Sequence, residues 1–193
     1  MQGIPLNERK RLGALLDDRP QTEVMAMIPQ FSQAETDNFV APPAQIPEAL
    51  GVLMFNMERG VNLLEIQEFL RDCPDIQPFD VILANELDDG CARSGNKNTA
   101  RELAQAFGLN YAWGLEFIEL VNDENAKGFH GNAVFSRWPI RRAGVIRLPE
   151  QYNWYFDRQK RIGGRLAVFA ELDVGGQPVG AVSIHLENRT HGE

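Results

Sequence analysis

The chain has 193 residues, 44% of them hydrophobic and 24% charged, and a net charge of −8. These proportions describe an ordinary globular protein with one sizeable core. The acidic balance argues against tight, sequence-independent binding to a nucleic-acid backbone, which needs clustered Lys and Arg, and leaves open a nucleic-acid substrate whose charge is met by a metal.

Residues 6–17 set Leu6, Leu12, Leu15 and Leu16 among charges, which predicts an amphipathic helix. Residues 23–31 are apolar but contain Pro29, so any helix there is short. Pro42, Pro43 and Pro47 make a stiff, extended link. Residues 1–48 are therefore expected to form a helical and extended N-terminal extension that packs on the main fold or serves as a lid. A single domain spanning 49–193 is expected to follow. The opening MQGIPLNERKRLGALL lacks the apolar core and cleavage site of a secretory signal, and no run approaches the length of a membrane helix. The expectation is a cytoplasmic protein with no membrane span and no obligate protein partner. Cys73 and Cys91 match no zinc spacing and are read as reduced thiols.

Val52-Leu53-Met54-Phe55 is a short unbroken apolar run, as is Val81-Ile82-Leu83-Ala84. Such runs predict strands buried on both faces, as in a parallel sheet. Between them, apolar residues at 61, 63, 64, 66, 69 and 70 have a helical period, with Pro74 just beyond. Strand, helix and strand at this spacing form a right-handed crossover with parallel strands. Both strands then finish on one sheet edge, which brings Asn56 and Glu86 near each other. Farther on, residues 98–107 predict a helix stopped by Gly108, and residues 110–120 predict a strand. Residues 133–135 and 143–148 predict two more. The segment 150–164, with Tyr152, Trp154, Tyr155 and Phe156 among basic residues, is expected to be a surface loop. Residues 166–174 and 179–184 flank Gly175-Gly176-Gln177-Pro178, a hairpin signal, and the second strand finishes at His185.

Asn56, Glu86 and His185 each close an apolar run. On a shared edge they would put an amide, a carboxylate and an imidazole around one cleft. Glu86 can hold a hard divalent cation through oxygen, Asn56 can orient it, and His185 can donate to a phosphoryl oxygen. Each has a plainer reading: Asn56 as a turn former, Glu86 as a solvated acid beside Asp88 and Asp89, His185 as a half-exposed structural histidine. Asn132 could be a Gly-Asn turn and Arg59 a surface charge. His130, Asp88 and Asp89 read as loop residues.

Taken together, VLMFNMERG at 52–60, DVILANELDDG at 80–90, GFHGNAVFSRWPI at 128–140 and AVSIHLEN at 181–188 resemble consecutive blocks of the endonuclease/exonuclease/phosphatase superfamily, the DNase-I-like metal phosphoesterases. The order and spacing of the blocks carry the resemblance. Asn85 departs from the pattern, which has Gln before the Glu. The resemblance implies a DNase-I-like four-layer α/β/β/α sandwich and Mg²⁺-dependent hydrolysis of a phosphoester, with Mn²⁺ as the alternative ion. It implies Glu86 as the metal ligand, Asn56 and His185 as catalytic residues, and Asn132 and Arg59 as phosphate-binding residues. The implied substrate is a phosphoester of a nucleic acid, a lipid or a small molecule. The family's later blocks, Gly-Asp-x-Asn and Ser-Asp-His, would follow His185. They would supply a water-activating Asp, a transition-state Asn and a final Asp-His pair. The expectation is thus a C-terminally truncated, inactive portion of a longer enzyme; the alternative is a non-catalytic interaction module with the same fold.

Overall fold

The computed structural model describes residues 1–189, so residues 190–193 of the expected 49–193 unit lie outside the described residues. Two short helices open the chain, α1 (Leu6–Ala14) and α2 (Gln21–Ala26). Strand β1 (Ala34–Asp37) follows, then β2 (Val52–Arg59), α3 (Leu63–Asp72) and β3 (Val81–Asp89). Next come α4 (Thr99–Phe107), β4 (Asn110–Glu119), β5 (Phe129–Ser136) and β6 (Ile140–Arg147). The short β7 (Arg161–Gly163) and the hairpin of β8 (Leu166–Val174) and β9 (Gln177–Ile184) complete the described fold. Local sequence sets the boundaries. Asn98 caps α4 by accepting from the Arg101 amide at 2.9 Å, and Gly108 ends it in the left-handed region at φ 60°.

The strands form two sheets. The larger is six-stranded in the order β1-β4-β5-β3-β2, with β7 also paired to β4; the smaller runs β6-β8-β9. β2 and β3 are parallel, as the strand–helix–strand pattern requires, and β5 runs antiparallel to both β3 and β4. Successive residues of the central strands face different cores. Ile82, Ala84, Trp113 and Phe135 join Leu70 of α3 and Leu103 of α4, whereas Val81, Ala112 and Val134 pack against Leu166, Val168 and Ala170 of β8. Burial on both sides explains why β3 and β4 read as unbroken apolar runs. The layers are therefore helices, the six-stranded sheet and the three-stranded sheet. The outer face of the smaller sheet exposes Ile146, Val182 and Ile184.

Two elements differ from expectation. β2 is not buried on both faces: Val52 is 58% and Met54 73% exposed. It lies at the end of the larger sheet, and only the side carrying Met57 reaches the helical core. The segment 150–164 is not a surface loop. Trp154 and Tyr155 are buried, and β7 pairs with β4. The Arg161 and Arg165 guanidinium groups lie over the Trp154 ring at 4.9 and 5.7 Å from its centroid, so the basic residues pack the aromatic ones inward.

The N-terminal residues pack on the main fold, with β1 adding a strand beside β4. Cys91 is buried and its thiol donates to the Phe129 carbonyl at 3.3 Å, while burial pushes its pKa up. Cys73 is half-buried at the end of α3. Among the described residues no helix is long and apolar enough to cross a membrane.

Candidate functional site

Three strand irregularities build the site. β2 and β3 lose register between Asn56 and Arg59, β3 and β5 between Ala84 and Leu87, and β4 and β5 between Leu115 and Phe117. Such bulges turn a side chain out of the alternation of its strand. They place Glu86 and Glu116 on either side of the uninterrupted β5. Glu58, Arg59 and Glu86 adopt left-handed φ values of 46°, 67° and 59°. Non-glycine residues hold that conformation only where their surroundings enforce it, and such strain gathers at functional sites.

Glu86 lies half-buried in a cleft of ≈ 380 Å³ that Arg59, His130, Trp154, Arg165 and His185 also line. Its amide donates to Asn132 Oδ1 at 3.2 Å, and its carboxylate stands 3.9 Å from His185 Nε2. Burial alone would raise the pKa of Glu86. His130, a hydrogen bond from Asn56, His185 and Arg59 outweigh it and hold the carboxyl below its ordinary value. Asn56 pairs with Asn85 in register and accepts from the Glu58 amide at 2.9 Å, which closes the turn that carries Arg59. The five residues singled out in the sequence, Asn56, Arg59, Glu86, Asn132 and His185, thus come together from distant parts of the chain.

His185 Nδ1 lies 3.0 Å from Arg165 Nη1. A guanidinium can only donate, so Nδ1 is the acceptor and the ring's proton sits on Nε2, the nitrogen facing Glu86. Burial and the Arg165 cation lower the His185 pKa against the pull of Glu86, which favours this neutral form. Arg165 is held in turn by Glu116 at 3.3 Å and by Glu187 at 3.1 Å, and Glu187 also accepts from Trp154 Nε1 at 2.7 Å.

Among the described residues no three His, Cys, Asp or Glu side chains gather closely enough to enclose an ion. Mg²⁺ rarely needs such a cage: it keeps several waters and is bound through one or two carboxylates plus substrate phosphate. The ionised Glu86, open to the cleft, with the Asn56 amide beside it, fits that mode of binding.

Solved structures share this arrangement of strands and helices. An endonuclease/exonuclease/phosphatase from Beutenbergia cavernae DSM 12333 superimposes with a TM-score of 0.52 at 21% identity, over 74% of this chain and 39% of that one. This chain has the endonuclease/exonuclease/phosphatase fold. A family protein of that description from Leptotrichia buccalis C-1013-b gives a TM-score of 0.49 at 19% identity, over 72% of this chain and 55% of that one. The chain therefore spans well under two thirds of either protein. No protein-family model matches the sequence, and neither does any curated protein.

In this endonuclease/exonuclease/phosphatase fold the sequence reading missed Glu116, His130 and Asp88. His130 and Asp88, read as loop residues, are buried in β5 and β3, and Glu116 is buried inside β4, the strand expected at 110–120. The visible signal was a carboxylate inside the apolar run of β4, which has to meet a cation once buried. Burial pushes the Glu116 pKa up and Arg165 pulls it back. Its Oε2 lies 3.9 Å from His130 Nε2 and 4.0 Å from His185 Nδ1.

Proposed function

We propose that this chain carries the metal- and phosphate-binding part of a Mg²⁺-dependent phosphoester hydrolase, and that the complete activity belongs to a longer protein. The observation that carries the reading is the meeting of an ionised Glu86 and a neutral His185, 3.9 Å apart, in an arginine-lined cleft of an otherwise acidic chain. The apolar exposure of Val52 and Met54 on β2, and of Val182 and Ile184 on the outer face of the smaller sheet, supports a longer parent, in which further chain covers those side chains.

Glu86 would hold Mg²⁺, or Mn²⁺, with Asn56 orienting its carboxylate. The cation supplies positive charge that offsets the charge on phosphoryl oxygens. His185 presents Nε2–H to a non-bridging oxygen, with Arg165 on Nδ1 fixing the tautomer. Asn132 holds the strained Glu86 backbone through its amide. Arg59 and Arg158 line the cleft, and neither makes an ion pair among the described residues, so both are available to an anionic ligand.

Two measurements test this. Mn²⁺ added to the chain should broaden NMR signals around Glu86 and Asn56 selectively, and Glu86→Gln should abolish the effect; uniform broadening, or broadening that survives the substitution, rejects the metal assignment. In the longer protein, assayed with Mg²⁺ and with EDTA on an aryl phosphodiester, Glu86→Gln and His185→Ala should each lower kcat roughly 10²–10³-fold. Unchanged turnover in either variant removes that residue's role.

A further inference from the structure

His130 enters none of the steps above, yet it is the best-held imidazole in the cleft. The ring is 2% exposed. Its Nδ1 lies 2.9 Å from Asp88 Oδ1. Asp88 is itself fully buried and gripped at both oxygens by Arg93, at 2.7 and 2.8 Å, with Ser94 Oγ donating at 3.2 Å. A carboxylate so held is an acceptor, so His130 Nδ1 donates to it and the ring cannot rotate without leaving a buried charge unpaired.

The other nitrogen is different. Among the described residues Nε2 makes no hydrogen bond, and the charged atom recorded beside it is Glu116 Oε2 at 3.9 Å, beyond hydrogen-bond reach. A purely structural buried histidine would have both nitrogens satisfied. This one spends one nitrogen on Asp88 and turns the other to the cleft that Arg59, Glu86, Arg165 and His185 line. Two residues along β5, on the same face of the strand, Asn132 Nδ2 is buried and also without a partner, and so is Arg59 Nε at the end of β2. Two buried donors without an acceptor, Asn132 Nδ2 and Arg59 Nε, thus lie near Glu86 in the region to which His130 Nε2 turns.

We propose that His130 is a ligand-contacting residue: held by Asp88 and Arg93, it donates from Nε2 to an oxygen of the phosphoryl group in the cleft. The inference rests on the reading of that cleft as a phosphoester site. The Asp88 carboxylate at Nδ1 supports the positive charge on the ring that donation from both nitrogens requires, the orienting arrangement of a carboxylate–histidine pair. Glu116, the anionic group nearest Nε2, is pushed by burial toward its neutral form and so opposes a bound anion less than an exposed carboxylate would.

The chain's three histidines make the test direct. Imidazole nitrogen signals are followed by NMR while inorganic phosphate is added in EDTA, with chloride at matched ionic strength as the control. The expected result is a saturable shift of the His130 Nε2 signal. His130→Phe keeps the stacking against Phe117 and should weaken phosphate binding about tenfold, the usual loss of one charge-assisted hydrogen bond. A shift at His185 with His130 unmoved overturns the proposal and leaves the phosphoester reading standing. A chain in which phosphate moves neither ring overturns both. If His130→Phe does not fold, the wild-type titration alone decides.

Discussion

Glu86 and Glu116 are the same side chain at the same kind of place, a strand bulge beside β5, yet they meet opposite conditions. Glu86 opens to the cleft, faces Asn56, His185 and Arg59, and keeps its carboxyl below the ordinary range. Glu116 is sealed beneath it, and its pKa is raised by burial against the pull of Arg165. The difference teaches that position relative to solvent, rather than residue type, divides the two jobs: one acid is available to a cation from outside, the other balances cations from inside.

Removing the inner acid should have the largest effect. Glu116→Ala takes one of two carboxylates from Arg165 and leaves a gap in a fully buried strand, and should destabilise the fold by about 3 kcal/mol in urea unfolding. Gly131 of β5 pairs with Leu87 on one side and Leu115 on the other, beside the bulges of β3 and β4. A Cβ there would stand 1.9 Å from the Gly114 carbonyl oxygen, so Gly131→Ala should cost roughly 3 kcal/mol and shift the amide signals of both acids.

Acid titration sharpens the comparison. Burial opposes ionisation of Asp88, but Arg93 and His130 prevail and hold it to about 2, against 3.8 for a free carboxyl. A lowered folded value means stabilisation that is present above pH 3.8 and is lost as the pH falls toward 2. Asp88→Asn should therefore erase on the order of 2 kcal/mol of pH dependence in that window. Glu116 has the reverse sign: its raised value makes its ionisation oppose folding as the pH rises above 4.5. Urea midpoints of Glu116→Gln and the parent chain, compared across that range, should diverge accordingly. The smallest effect belongs to the outer acid. Glu86→Gly relieves a left-handed residue and should stabilise the fold by about 1 kcal/mol while abolishing selective Mn²⁺ broadening.

The outer acid was legible in the sequence and the inner one was not, for a physical reason. Glu86 closes a run of apolar residues, and parallel pairing with β2 places Asn56 beside it without knowledge of any distant contact. Glu116 sits inside NYAWGLEFIE, where every residue is buried, and its partner Arg165 arrives from far along the chain. His130 reads as a loop residue beside a Gly131-Asn132 turn, whereas Gly131 instead permits close approach of β4. Alternation could not tell that β2 borders the sheet, since edge and centre differ only in what lies alongside. The aromatic segment at 150–164 has no period because it is packed by arginines, and ring–guanidinium contacts leave no trace in a hydrophobic pattern.

The buried thiol of Cys91 has a practical use. Its proton is hard to remove and its sulfur is out of reach, so a maleimide dye added to native protein should attach at Cys73 alone, at the end of α3. A second dye can go on only when the turn between β3 and α4 springs away from Phe129. The rate of that second labelling would clock how often this turn lets go of β5.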